Sequence, residues 1–278
     1  MFGSGLEIKS PDQILVMREA GLVVADALAA VRDAVRPGVT TAELDRVAAE
    51  LIRSRGAEPS FLGYGAPPFP ATICASVNDA VVHGIPGGRV LAEGDVVSID
   101  CGAIVVDGSG QGWHGDAAIT VAVGDVPDEV TALMRVTQEA LWRGLAAARP
   151  GGRVGDISQA IEDHVRGEGD YGIVEDYTGH GIGTEMHLPP DVPNHGRAGR
   201  GPRLKRGLAL AVEPMLTLGT KETAVADDDW TVVTTDGSAA AHFEHTFALT
   251  EDGVWVLTAH DGGRSVLEQL GAPYGGPR

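Results

Sequence analysis

The chain has 278 residues, 43% hydrophobic and 22% charged, ordinary proportions for a soluble globular protein that exclude a disordered, collagen-like or coiled-coil class. This length is long for one domain and short for two, and such a chain buries roughly three quarters of its unfolded surface. With 21 Lys and Arg against 39 Asp and Glu the net charge is −18, a surface that repels nucleic-acid phosphates and argues against direct nucleic-acid binding.

Taken in chain order, the start carries Glu7, Lys9, Asp12 and Arg18 where an export signal would need its apolar core. A pair of apolar-periodic helices follows in "VMREAGLVVADALAAVRDAVRPGVTTAELDRVAAELIRSRG", and "EVTALMRVTQEALWRGLAAARPGGRVGDISQAIEDHVRGEG" echoes it. Each copy has a helix, an Arg-Pro-Gly stop, a Thr or Asp cap region and a second amphipathic helix ending at glycine. Between them, the uncharged stretch from Pro59 to Asn78 is broken by Pro67, Pro68, Pro70, Gly63 and Gly65 and reads as a loop, not a membrane span. Strand-like segments come after each helix pair: "ATICASVN", "DVVSIDCGAIVV" and "AAITVAVG", then "LALAVEPMLTL", "WTVVTT" and "HFEHTFALT". The recurrence predicts one α+β domain, residues 1–258, built of two pseudo-symmetric halves at about 12–123 and 127–250. Residues 259–278, rich in Gly and Pro, are expected to form a loose tail. Two cysteines, Cys74 and Cys101, are too few for a disulfide framework and suit reduced thiols in a cytoplasm.

Four acids interrupt or border apolar β-type runs: Asp100 in "VVSIDCG", Asp116 in "WHGDAAITV", Glu213 in "LALAVEPML" and Glu244 in "HFEHTFAL". A buried carboxylate needs a partner, a raised pKa or an exposed strand edge. Singly, an edge position accounts for each; four together point to a shared site. Lys9, Lys205 and Lys221 are the chain's only lysines, so cations from solution make better counter-charges. Four carboxylates balance two divalent ions, and oxygen ligands with one or two imidazoles suit Mn, Fe(II), Co or Zn. Imidazoles are at hand in "TGHGIGTEMHLPPDVPNHG", where His180, His187 and His195 lie among glycines and prolines.

Read together, "SVNDAVVHGIPGGRVLAEGDVVSIDCG", "GWHGDAAIT", "TGHGIGTEMH", "AVEPM" and "FEHT" resemble the type I methionine aminopeptidases, creatinase-like peptidases with a pita-bread fold, from about Ser10 to Thr250. The resemblance implies two pseudo-symmetric halves around a curved antiparallel sheet. It implies two divalent metal ions held by Asp100, Asp116, His180, Glu213 and Glu244, with Asp116 and Glu244 bridging. It gives His83 and His187 contacts to the scissile amide and the tetrahedral intermediate, and Glu213 is the candidate for proton shuttle as well as ligand. Tyr64, Phe69, Cys74, Met186 and Trp230 become the walls of a methionine pocket. The implied activity is removal of the initiator methionine from nascent chains with a small second residue, in the cytoplasm, with transient ribosome contact and a monomer as default. His242, two residues from Glu244, is a candidate to support the ligands; His114, His164, His195, His245 and His260 are left as surface residues. The separation between Asp100 and Asp116 exceeds the family's usual hairpin, so "VVDGSGQGWHGD" is expected to be a lengthened turn that leaves the ligands in place. The rivals are an Xaa-Pro-type aminopeptidase, a noncatalytic pita-bread protein that binds peptides, and an acidic domain whose carboxylates pair with arginines.

Overall fold

A computed structural model describes residues 5–277, so the ends of the expected domain and tail, residues 1–4 and 278, lie outside the described residues. Helices α1 (Pro11–Ala34) and α2 (Thr41–Ser54) each begin at a reciprocal cap. Ser10 Oγ accepts from Gln13 N while Gln13 Oε1 accepts from Ser10 N, and Thr40 and Glu43 repeat the arrangement. These bonds satisfy amides that the first helical turn leaves without partners. Helices α3 (Asp128–Ala147) and α4 (Val154–Glu168) form the second pair. Both leading helices end just before the Arg-Pro-Gly stops, because the residue ahead of proline disfavours helical backbone.

Each helix pair covers its own apolar core. Leu44, Ile52, Ile73 and Ile99 are fully buried under α1 and α2, whereas Leu133, Leu141, Ile157, Ile161 and Phe247 are fully buried under α3 and α4. Between them runs a curved antiparallel sheet. Its strands Val96–Val106, Gly112–Ala122, Glu244–Leu249, Ala209–Val212, Gly179–Gly181 and Leu188–Val192 lie side by side in that order, with Ile73–Val77 flanking the first. The two halves therefore meet where Gly112–Ala122 pairs with Glu244–Leu249. No helix among the described residues is long and apolar enough to cross a membrane.

Two expectations are corrected. The lengthened hairpin does not put its extra residues into a long turn: its strands are 11 residues each, and the register Val106↔Gly112 leaves five residues at the tip. Asp107 ties that tip together, accepting from Ser109 N, Ser109 Oγ and Gln111 N, while its second oxygen accepts from Trp113 Nε1 at 2.9 Å. Pairing more backbone is favoured over a longer open loop because every N–H and C=O in the ladder is satisfied. The C-terminal segment is docked rather than loose. Leu267 and Ala272 are buried, Val254 N donates to Pro273 O and Gly275 N donates to Val254 O. Arg18 from α1 holds its entry, donating to the carbonyls of Leu257, Ala259 and His260. Spaced apolar residues anchor this Gly/Pro-rich stretch despite its composition.

Candidate metal centre

The sheet's lattice brings the four acids together. Asp100 and Glu244 both lie directly opposite Ala118, one on each side of it. Two residues along, Asp116 lies opposite Gly102, and His180 faces Ala211, which in turn faces Thr246. Residues two apart on a strand share a face, so Asp100, Asp116, His180 and Glu244 project to one side across neighbouring rungs. The intervening positions are Gly, Ala and Thr, which keeps the space between them open. Glu213 follows Val212, where its strand gives way to Pro214. The strands carrying Asp116 and Glu244 are interior, so the exposed-edge explanation does not hold.

One imidazole and two carboxylates, from His180, Asp116 and Glu244, present ligand atoms all within 4.8 Å of one another. His180 Nε2 is 3.6 Å from one Glu213 oxygen and His242 Nε2 is 3.6 Å from the other. Asp116, His180, His242 and Glu244 are each at most 6% exposed. Asp100 Oδ1, Asp116 Oδ1 and Glu244 Oε1 have no hydrogen-bond partner among the described residues. Burial pushes the Asp100 carboxyl up to about 7 and that of Glu213 up to about 8. Desolvation, reinforced by the neighbouring acids, raises Asp116 and Glu244 well above the ordinary range. Burial also holds His180 down to about 3, with His187 beside it adding to the effect. Crowded carboxylates that resist ionisation and an imidazole that resists protonation lack positive charge. Divalent cations fit this donor set.

A cavity of about 160 Å³ opens beside the cluster, lined by Tyr64, Phe69, Cys74, His83, Met186, His187 and Trp230 together with the acids. Sites for drug-sized ligands run to roughly 300–1,000 Å³, so this one suits a single side chain. All the site residues expected from the sequence converge here. Cys74 lies directly opposite Asp100 in the sheet, joining wall to cluster. Phe69 and Trp230 meet edge to face with ring centres 5.2 Å apart. Tyr64 Oη and His187 Nδ1 share a 2.6 Å hydrogen bond, and the His187 ring lies 4.3 Å from that of His180. His83 takes a left-handed backbone (φ 59°) that turns it inward against Trp230 and Tyr177, and burial holds it down to about 4.

Phe61, Val82, Tyr177 and Thr178, none of them expected from the sequence, also line the cavity, and His242, a candidate to support the ligands, lies beside it. Its position, buried against Glu213, is set by Thr120, whose Oγ accepts from His242 N and donates to His242 O. Only the spacing to Glu244 could have signalled it. Among the histidines set aside, His114 is half-buried with Nδ1 3.0 Å from Ser60 Oγ, and His245 Nδ1 lies 2.8 Å from Thr258 Oγ1. Both are structural and not surface residues.

An oxygen-rich, cation-demanding cluster beside a one-residue pocket, on a sheet cradled by two helix pairs, defines a metallohydrolase. Comparison with known proteins narrows the class. Residues 16–251 match metallopeptidase family M24. Methionine aminopeptidase 1 of Mycobacterium tuberculosis is 52% identical over 256 residues, covering 90% of this chain and 94% of that protein. Methionine aminopeptidase of Clostridium acetobutylicum is 50% identical over 252 residues, covering 90% and 98%. The crystal structure of methionine aminopeptidase from Thermotoga maritima superposes with a TM-score of 0.87 at 41% identity, covering 92% of this chain and all of that one. Prolidase from Pyrococcus furiosus shares the fold at 22% identity, with a TM-score of 0.71, and this chain spans 65% of its length. The chain belongs to metallopeptidase family M24, has its pita-bread fold, and groups there with the methionine aminopeptidases.

Proposed function

We propose that this chain is a metallo-aminopeptidase that removes the N-terminal methionine of polypeptides with a small second residue. The observation that carries this reading is the pairing of Cys74 with Asp100, which sets a one-residue apolar pocket against the carboxylate cluster. Asp100, Asp116, His180, Glu213 and Glu244 would hold two divalent ions (Co, Mn, Fe(II) or Zn). Such ions, when bound, supply Lewis acidity that polarises a carbonyl and acidifies water.

The chain's own groups do the rest. Phe69, Cys74, Met186, Tyr64 and Trp230 enclose a thioether, and sulfur–aromatic contacts add up to about 1.5 kcal/mol each. Glu213, flanked by His180 and His242, takes at a carboxylate oxygen the proton that the attacking water gives up as its oxygen bonds to the carbonyl carbon, and returns it to the amine nitrogen as the C–N bond breaks. His83 and His187, kept neutral by burial, can each offer one N–H to the scissile amide and to the oxyanion that forms from it. The Tyr64 hydroxyl fixes the His187 ring by its bond to Nδ1. The substrates are the N-termini of nascent chains, met in the cytoplasm by a monomer in transient contact with the ribosome.

The test is amino-acid release from Met-Ala-Ser, Leu-Ala-Ser, Met-Lys-Ser and Ala-Pro-Ser by chelator-stripped protein reloaded with each metal in turn. Metal-dependent release of methionine from Met-Ala-Ser alone is expected. Cleavage before proline would assign the chain to the Xaa-Pro-type branch, and inactivity with every metal would favour a noncatalytic peptide-binding protein.

A further inference from the structure

The segment ahead of α1 reaches the loop that joins the two active-site histidines. Lys9 is 4% exposed, and its Nζ lies 3.1 Å from Glu7 Oε1 and 3.2 Å from Glu7 O. The same Glu7 carboxylate accepts from Thr184 N at 3.2 Å with one oxygen and from Thr184 Oγ1 with the other. Thr184 sits in the connection between the strands Gly179–Gly181 and Leu188–Val192, with His180 before it and His187 after it. Gly183 closes over the ion pair: a Cβ there would run into Glu7 Oε1 and Lys9 Nζ. The segment is itself fixed, since Lys9 N donates to Gly207 O at 2.7 Å and Ile8 bridges to Leu208. From there the next strand, Ala209–Val212, places Ala211 opposite His180.

A buried lysine and a carboxylate cost desolvation that apolar side chains would avoid, so such a pair is weak ground for a stability role. Here the carboxylate has a second use. We infer that Glu7, seated on Lys9, is a positioning residue that anchors the loop at Thr184 and so fixes the mutual placement of His180 and His187. The inference rests on the reading above, in which His180 is a metal ligand and His187 meets the substrate.

The experiment compares full-length parent, Glu7→Leu/Lys9→Met and Glu7→Gln/Lys9→Met. The first double variant removes the charges and the acceptor; the second removes the charges but keeps an acceptor for Thr184. For each, Mn affinity of the chelator-stripped protein is measured by calorimetry, with kcat and KM on Met-Ala-Ser and the Tm. Glu7→Leu/Lys9→Met is expected to melt near the parent temperature yet bind Mn about tenfold more weakly and lose about tenfold in kcat, as for other partners that orient metal ligands. Glu7→Gln/Lys9→Met is expected to recover both to within about threefold of the parent. Parent-like kcat and Mn affinity in the first variant would overturn the inference, as would equal losses in both variants that follow the Tm. If the first variant does not fold, Thr184→Ala decides: removing one hydroxyl bond should lower kcat about threefold at an unchanged Tm, and an unchanged kcat would overturn the inference. A parent that releases no methionine with any metal would instead refute the proposed function, with the Mn titrations still reporting on the loop.

Discussion

Among the described residues two clusters join histidine to two carboxylates, and they behave as opposites. In the sheet, Asp116, His180 and Glu244 are buried with no lysine or arginine among the residues lining the site. Between α3 and α4, Glu139, His164 and Glu168 come equally close, but Arg135 already bonds Glu139 at 2.9 Å and Glu168 at 2.7 Å. Those bonds hold the Glu168 carboxyl below its usual range, whereas burial drives the sheet acids up. Shared residue types and distances therefore do not make a metal site; an unmet demand for positive charge does.

The largest effect that would sharpen the contrast comes from replacing one carboxylate at each of the two places by its amide. Glu213→Gln is expected to lower kcat by about 100- to 10,000-fold, while Glu139→Gln stays within about twofold of the parent, since nothing places it near the chemistry. Methionine release at parental rates by Glu213→Gln would break the comparison at its centre.

A smaller effect is expected in the pH dependence of stability after metal is stripped. The raised carboxyls keep protons that the unfolded chain, with carboxyls near 4, has already released, so their contribution falls as pH rises through about 7 to 8. The buried imidazoles act oppositely: with His180 at about 3 and His83 at about 4, their contribution is complete only above about 6.5, the unfolded value. Above pH 6.5, where the imidazole contribution is complete and the carboxyl contribution is still falling, stripped protein should melt progressively lower towards pH 8.5, and added Mn should raise the Tm more at pH 8.5 than at pH 6. A Tm that climbs from pH 6.5 to 8.5 without metal would contradict the site's electrostatics.

The smallest effect belongs to the surface cluster. Arg135→Met should lower the Tm modestly at low ionic strength, and the difference should vanish in 1 M salt, where screening acts over about 3 Å. Turnover and the number of ions bound should not change; loss of a metal equivalent would mean the outer cluster had been misjudged.

How much of this was legible in the sequence follows from the same contrast. Asp100, Asp116, Glu213 and Glu244 stood out because a charge in an apolar β run violates its surroundings, and the cap region between the helices of each pair could be read because caps are local. Tyr177 and the Glu7–Thr184 anchor were not visible, and His242 was only a candidate from its spacing to Glu244, because each acquires its meaning from register or from a partner far along the chain. The docked tail escaped for a related reason. Leu267 and Ala272 are two apolar residues in a Gly/Pro-rich setting, and their value depends on a core whose shape composition does not describe.

Three of the acids and most of the pocket walls stand on different kinds of backbone, Cys74 being the wall residue that the sheet itself carries. Asp100, Asp116 and Glu244 are spaced by the sheet's repeat, with Ala118 as the separator, whereas Tyr64, Phe69, Met186 and Trp230 all sit in connections outside the strands. Drift in those connections can recut the lock while the striking mechanism stays in gauge. A relative accepting a different first residue is thus reachable by small steps, each leaving a working catalyst, whereas one register slip between Asp100 and Asp116 would destroy the catalyst at once.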